Sequence, residues 1–211
     1  MNTPERRILI FGGTFDPPHL AHTTLPPIVA KMLGCELILY IPASINPLKT
    51  QTPPTPSVHR LSMLRLAIAS IPNALIDELE LHREGPSFTI DTLEALQNKY
   101  GPETKLHLLI GADAALSFEK WKDWQRILEM VEPIVMPRPP YDHATLIREF
   151  NSLFKPEQAA YWIAHIAEVP YLDVSASDIR QMLINGQDLS QFLLPEVAHY
   201  LKANELYQMT H

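Results

Sequence analysis

The stretch at residues 8–22, ILIFGGTFDPPHLAH, constrains the fold of this chain more than any other. Its first four residues are all apolar, which predicts a short strand buried on both faces. Gly12 and Gly13 follow directly, so the backbone can turn sharply and let a ligand approach it closely. After two prolines, the pattern predicts a helix from His19 onward. A strand, a glycine turn and a helix start together present free backbone N–H groups and a partial positive charge, which favours phosphate binding.

Two histidines lie in the first turn of this predicted helix. His19 and His22 are three residues apart, so they share one face of the helix. Imidazole can donate to phosphate oxygens and can stabilise the charge that develops during nucleotidyl transfer. A helix cap with surface histidines would explain the pair without a ligand. A zinc pair is another interpretation, but the sequence contains neither a cysteine pair nor an HExxH motif. The position directly after the first strand favours a nucleotide site.

Composition limits the classes of protein that this chain can belong to. Its 211 residues suit one domain with a real core, and 46% hydrophobic and 19% charged residues are typical of a globular protein. A net charge of −7 argues against nucleic acid as the main partner. The single cysteine, Cys35, cannot form an internal disulfide. Because we find neither a signal peptide nor a membrane-length apolar run, we expect a cytoplasmic protein that does not contact membranes.

Further apolar runs indicate more strands. Residues 36–42 predict a second buried strand, and a strand, a helix and a strand in this order form a βαβ unit with a parallel sheet. Residues 105–110 and 131–136 predict two more strands, and residues 75–81 a further strand-like piece. The strand at 105–110 leads into Gly111 and Asp113. An acid just past the carboxyl end of a parallel strand can accept from ribose hydroxyls. Asp113 could equally be the N-cap of a helix that begins at Ala114.

Several other polar and aromatic residues have two interpretations each. Lys49 lies in a proline-rich loop at residues 43–57, either solvated or contacting phosphate as the loop closes. Thr89 and Asp91 could each cap a helix that runs to about residue 100. Trp121 belongs to a series of aromatic residues at three-residue steps, typical of a core, but its flanking lysines favour exposure and ring stacking. Arg60 lies in a packing helix at residues 58–68 and is expected to be structural or solvated.

A second candidate anion site follows a short predicted strand at residues 171–173. Ser175 or Ser177 would by itself be an ordinary helix cap. With Arg180 one turn further on, the cap, the backbone N–H groups and the guanidinium together can hold an anion. A final helix is predicted to begin near residue 193 and to end near residue 201.

The chain resembles a known family in several separated pieces. GGTFDPPHLAH is similar to the GGxFxPxHxGH signature of the nucleotidylyltransferase superfamily, with Ala21 in place of the last glycine. Five more pieces resemble one branch, the nicotinate mononucleotide adenylyltransferases: an HRxxMLxLA-like helix at 59–67, PSFTIDTL at 86–93, IGADAALSFEKW at 110–121, SASDIR at 175–180 and LLPEVAHYLKANELY at 193–207. With the predicted strands, we therefore expect an α/β fold: one domain over residues 1–211, with a Rossmann-like open parallel sheet, helices on both faces and a small helical C-terminal portion at about 175–211.

The resemblance implies an activity and a role for each matching position. The family transfers AMP from ATP to nicotinate mononucleotide, forming nicotinate adenine dinucleotide and pyrophosphate, with Mg²⁺. It implies catalytic roles for His19, His22 and Arg180. It implies ATP contacts at Gly12, Gly13, Thr14, Phe15, Gly111, Asp113, Ser175 and Ser177. Substrate contacts are implied at Lys49, Thr89, Trp121 and Arg138. The expected partners are ATP and nicotinate mononucleotide, and the expected state is a monomer or a small homo-oligomer.

Three alternatives remain open at the level of sequence. The chain could be a related adenylyltransferase that acts on nicotinamide mononucleotide or phosphopantetheine. It could be a non-catalytic nucleotide-binding module, although such a module would need fewer of the histidines and arginines. A nicotinamide-dependent dehydrogenase is disfavoured, because no GxGxxG motif follows the first strand.

Overall fold

Strands and helices alternate along most of the chain in the computed structural model, which describes residues 5–44 and 53–207. The strands are β1 (Arg7–Gly13), β2 (Leu37–Pro42), β3 (Ala74–Ile76), β4 (Lys105–Gly111) and β5 (Val131–Met136). The helices are α1 (Leu20–Leu33), α2 (Ser57–Ile68), α3 (Thr89–Tyr100), α4 (Ala112–Leu116), α5 (Trp124–Met130), α6 (His143–Leu153), α7 (Pro156–Ala164), α8 (Ala176–Ile184) and α9 (Pro195–Ala203). A 3₁₀ turn spans Phe118–Lys120. Lys49 lies outside the described residues.

Within the described part of the chain, five parallel strands form one sheet in the order β3-β2-β1-β4-β5. β1 is the central strand, and its Leu9 is in register with Ile38 of β2 and with His107 of β4. After β1 the chain adds β2 and β3 on one side of that strand, and it then crosses over and adds β4 and β5 on the other side. Ligands bind at the carboxyl ends of the strands where such a reversal occurs, here between β1 and β4.

Alternate residues of the buried strands face two separate apolar clusters. Leu9 and Phe11 pack in a cluster with residues of α1, α2, α8 and α9. Ile8 and Ile10 pack on the opposite face with residues of α3, α4, α5, α6 and α7. This arrangement confirms the predicted Rossmann-like open parallel sheet with helices on both faces. Burial of each large apolar side chain stabilises the fold by roughly 1.5–3 kcal/mol before entropy is counted.

The C-terminal helices cover the same face of the sheet as α1 and α2. Ile179 of α8 and Val197 and Leu201 of α9 are all buried in that shared cluster. The described C-terminal segment is therefore packed on the sheet face that α1 and α2 also cover. The assignment of residues 1–211 to a single domain stays a prediction. Among the residues described, no helix is both long enough and apolar enough to cross a bilayer.

Two local predictions were wrong. The strand expected at 75–81 is only Ala74–Ile76, because this edge strand pairs with β2 alone and turns follow it. No strand forms at 171–173; the isolated bridge to β5 comes instead from Ile166, which pairs with Val135.

Candidate active site

The turn between β1 and α1 is built around the ring of Phe15. Phe15 has a φ of 51° and is only 2% exposed. A Cβ on Gly13 would lie 3.1 Å from its ring, so any side chain there would push the ring away from the backbone of the turn. The other side of the ring meets His22 edge to face, with centroids 5.1 Å apart. The turn thereby positions the imidazole of His22. Ala21, which replaces the signature glycine, lies in α1 and needs no unusual backbone conformation.

The two histidines interact directly at the start of α1, where His19 is the N-cap residue. Their rings stack with centroids 3.7 Å apart. The backbone N–H of His19 donates to Nδ1 of His22 over 3.2 Å, and the N–H of His22 donates to the His19 carbonyl over 2.8 Å. Because Nδ1 of His22 accepts, the neutral ring carries its proton on Nε2. That N–H is the donor that His22 can offer to a ligand.

Both imidazoles are neutral at pH 7 in the free protein. Burial, together with the nearby charge of Arg138, lowers the pKa of His19 to about 3. Burial, followed by the charges of His19 and Arg138, holds the pKa of His22 well below its usual range. Nδ1 of His19 is buried and has no hydrogen-bond partner among the described residues. A buried polar atom of this kind is expected to find a partner when the site is filled.

Arg138 and Asp113 meet above Gly111, at the carboxyl end of β4. Nη2 of Arg138 lies 2.7 Å from Oδ1 of Asp113. A Cβ on Gly111 would lie 2.9 Å from Nε of Arg138, so the absence of a side chain lets the guanidinium reach this position. Asp113 does not cap a helix, as one interpretation predicted, because α4 begins at Ala112 with Gly111 as its N-cap. The glycine turn follows β1 and the pair follows β4, so they lie on the two sides of the point where the strand order reverses. Arg138 is close enough to lower the pKa of both histidines.

Arg180 joins the C-terminal helix to the first turn. Its Nη1 donates to the carbonyl of Asp16 over 2.6 Å, across 164 residues of sequence. Its Nη2 donates to Oγ of Ser177 over 3.2 Å. Ser175 caps α8, as predicted, by accepting from the N–H of Asp178 over 3.1 Å. The structure therefore brings the second predicted anion site to the first.

Thr89 and Trp121 lie in two segments that contact each other. Lys122, next to Trp121, pairs with Asp91 over 3.1 Å and lies 4.9 Å from the ring centroid of Phe88. Neither Thr89 nor Asp91 caps α3, because Phe88 is the N-cap residue. The indole of Trp121 stacks on Phe118, with centroids 4.9 Å apart, and its buried Nε1 has no partner in the described part of the chain. One indole face and one N–H donor are thus placed where an aromatic ligand could use them.

Sequence reasoning missed Arg60, which is 2% exposed and holds the first turn from below. Its Nη1 donates to the carbonyl of Thr14 over 2.8 Å, and its Nε donates to the carbonyl of Thr55 over 2.9 Å. Burial lowers the pKa of this guanidinium, and the neighbouring Asp16 opposes that shift. A signal was present, because Arg60 stands at helical spacing from the buried Met63 on the apolar face of α2.

Comparison with known proteins identifies the family to which this chain belongs. Residues 10–182 match the cytidylyltransferase-like family. A protein of Pseudoalteromonas atlantica named probable nicotinate-nucleotide adenylyltransferase is 36% identical, over 99% of this chain and 98% of its own length. A Yersinia pestis protein of the same name is 35% identical, over 94% of both chains.

Solved structures show the same fold. A putative nicotinate-nucleotide adenylyltransferase from Vibrio parahaemolyticus has a TM-score of 0.66 and 22% identity, with 97% of both chains covered. The Plasmodium falciparum nicotinic acid mononucleotide adenylyltransferase, solved in complex with NaAD, has a TM-score of 0.73 and 19% identity. That likeness covers 96% of this chain and 97% of the other. The shared fold thus extends over nearly the whole chain.

Proposed function

The chain belongs to the cytidylyltransferase-like family and, within it, to the nicotinate-nucleotide adenylyltransferases, and on this premise we propose that it transfers AMP from ATP to nicotinate mononucleotide. The 5′-phosphate of nicotinate mononucleotide attacks the α-phosphorus of ATP in line. The bond from the α-phosphorus to the bridging oxygen of the β-phosphate breaks, and pyrophosphate leaves. The observation that carries the proposal is the contact of Arg180 with the turn that presents the histidine pair.

This reaction needs no nucleophile from the protein, since the substrate phosphate attacks directly. The enzyme must position two phosphates and stabilise the charge that develops between them. We assign the first donor to Nε2 of His22, whose orientation is held by the N–H of His19. Because both rings are neutral, they act as hydrogen-bond donors, and the positive charge comes from Arg180 and Arg138. Ser177 supports Arg180 from the same helix.

The remaining ATP contacts follow the backbone of the first turn and the reversal of the sheet. We propose that ATP approaches the backbone of Gly12, Gly13, Thr14 and Phe15, with Ser175 at the start of α8. Gly111 and Asp113 face the adenosine ribose, whose hydroxyls can donate to the Asp113 carboxylate. For this contact the ribose must share the carboxylate with Arg138 or displace it.

The acceptor side of the proposed site comprises Thr89, Trp121 and Arg138. The free face of the Trp121 indole offers a platform for the pyridine ring, and Phe118 supports it from behind. Arg138 supplies a guanidinium that can bind the acceptor phosphate. Lys49 was predicted as a further phosphate contact and lies outside the described residues.

We propose that Mg²⁺ enters as part of the MgATP substrate. Among the described residues, no group of three or more His, Cys, Asp or Glu side chains is placed to hold a metal ion. Mg²⁺ is commonly bound by substrate phosphates and water with few protein ligands, so the triphosphate would supply most of its ligands. When bound, Mg²⁺ neutralises charge on the departing pyrophosphate.

The finer predictions of location and assembly belong to the same proposal. We propose a cytoplasmic enzyme, because a chain whose only cysteine is Cys35 needs no oxidising compartment. We further propose a monomer or a small homo-oligomer, which light scattering of the purified protein would determine.

The proposed function is tested by pyrophosphate release from MgATP with three acceptors offered in turn. We expect release with nicotinate mononucleotide, and less with nicotinamide mononucleotide or phosphopantetheine. Equal or faster release with either of the other two would assign the chain to a related adenylyltransferase. ATP binding without release for any acceptor would identify a non-catalytic nucleotide-binding module.

A further inference from the structure

Asp16, in the turn between Gly13 and His19, is the meeting point of four segments of the chain. Its Oδ1 accepts from the hydroxyl of Tyr207 over 2.5 Å, and its Oδ2 accepts from the N–H of Thr55 over 3.1 Å. Its carbonyl accepts from Arg180 over 2.6 Å. Asp16 is only 9% exposed, and both of its carboxylate oxygens and its backbone oxygen accept hydrogen bonds from the protein.

This network connects the C-terminal segment to the phosphate-binding turn. Tyr207 follows α9, Arg180 lies in α8, and both contact the same residue of the turn. Arg60 lies beneath them and binds the carbonyls of Thr14 and Thr55, so one buried cation faces the buried carboxylate. A buried carboxylate needs such compensation, because an unpaired one would destabilise the fold by several kcal/mol.

The hydroxyl of Tyr207 is a permanent donor in this network. Burial, together with the hydrogen bond to Asp16, holds the pKa of Tyr207 well above its usual range. The phenol therefore stays protonated at every pH at which the enzyme would work. Hydrogen bonds to a charged acceptor are the stronger ones in proteins, so this contact can restrain the turn.

We propose that Tyr207 is a positioning residue for ATP: its hydroxyl fixes Asp16, and Asp16 in turn fixes the histidine turn and the guanidinium of Arg180. This inference rests on the proposed function and adds a residue to it. Neither Tyr207 nor Asp16 needs to touch ATP for this role. Their effect is to hold groups from opposite ends of the sequence in one arrangement before the triphosphate binds.

A second tyrosine of the C-terminal segment supplies a matched control. The hydroxyl of Tyr200 in α9 lies 3.0 Å from Nδ1 of His59 in α2. It thus attaches the C-terminal segment to α2, whereas the hydroxyl of Tyr207 attaches that segment to the turn. Phenylalanine at either position keeps the ring and removes one hydroxyl.

The experiment compares Tyr207→Phe with Tyr200→Phe at a temperature far below either Tm. In Tyr207→Phe we expect the KM for ATP to rise about tenfold, or about 1.4 kcal/mol, while the KM for nicotinate mononucleotide stays within twofold. In Tyr200→Phe we expect both KM values to stay within twofold of the wild type, even if its Tm falls as much as the Tm of Tyr207→Phe. A purely structural role would lower the active fraction, and with it kcat, without this selective change in KM.

A binding measurement separates this inference from the proposed function. Calorimetry with a non-hydrolysable ATP analogue needs neither acceptor nor turnover, and we expect the Kd of Tyr207→Phe to rise by the same factor. A wild-type protein that binds the analogue but releases no pyrophosphate would overturn the proposed function and leave the Kd comparison valid. An unchanged Kd and ATP KM in Tyr207→Phe, or an equal rise in Tyr200→Phe, would overturn the role of Tyr207.

Discussion

Replacement of His22 by alanine removes two separate interactions of one imidazole. Nδ1 accepts from the N–H of His19 at the start of α1, and loss of that bond costs about 1 kcal/mol of unfolding free energy. Nε2 is the donor that we assign to the substrate phosphates. Loss of one preorganised donor costs about 2.7–4 kcal/mol of transition-state stabilisation, roughly 10²–10³ in kcat. We therefore expect a folded protein whose kcat is two to three orders of magnitude below that of the wild type.

The assay is pyrophosphate release under saturating MgATP and nicotinate mononucleotide, with urea denaturation of the same samples. His22→Glu separates the two roles, because glutamate at this helix position can accept from the N-cap N–H but cannot donate. We expect His22→Glu to retain more stability than His22→Ala and to have still lower kcat, since its charge repels the phosphates. His143→Ala is the control, because that side chain is 44% exposed and lies outside the proposed site. A folded His22→Ala with a kcat within fivefold of the wild type would refute the reasoning.

Three more substitutions or conditions test the site from other directions. His19 has a pKa of about 3 when folded and near 6.5 when unfolded, so the unfolded chain binds the extra proton and stability falls as the pH drops below 6.5. At pH 5 this loss is about 2 kcal/mol, and urea denaturation should show a smaller loss in His19→Gln. Arg60→Met should lower the unfolding free energy by about 3 kcal/mol, because it leaves the carbonyls of Thr14 and Thr55 without their donor and removes a positive charge that acts on the buried Asp16 carboxylate; a loss below about 1 kcal/mol would contradict this account. Gly111→Ala should raise the KM for nicotinate mononucleotide roughly fivefold at nearly unchanged Tm, since its Cβ displaces the flexible guanidinium of Arg138; an unchanged KM for that substrate would show that the position of this guanidinium is irrelevant to acceptor binding.

The strands that sequence reasoning located well are those with continuous apolar runs. Residues 36–42 and 131–136 correspond to β2 and β5 within one residue, because strands buried on both faces show this pattern. The pattern does not encode which strands are neighbours, since all the runs look alike, so the placement of β4 beside β1 emerged only from the structure. The short edge strand β3 has a weaker pattern, and its predicted length was wrong.

The candidate site divides in the same way between local and distant features. The glycine turn and the histidine pair were predictable because they are contiguous in sequence, and the Ser175 cap because capping is a short-range interaction. The contact of Arg180 with Asp16 spans 164 residues, and no local pattern specifies it. The bond of Tyr207 to Asp16 is longer-range still, so it was absent from the predictions.

The strand order reverses between β1 and β4, and the backbone that makes this reversal leaves a crevice between the two strand ends. The loop after β1 leads toward β2 and the loop after β4 leads toward β5, so the two loops diverge there, whatever side chains they carry. An opening made in this way survives changes in its lining. The residues after β4 that we propose for acceptor recognition are therefore open to exchange without loss of the glycine turn, and such exchanges are a route to new dinucleotides on an unaltered scaffold.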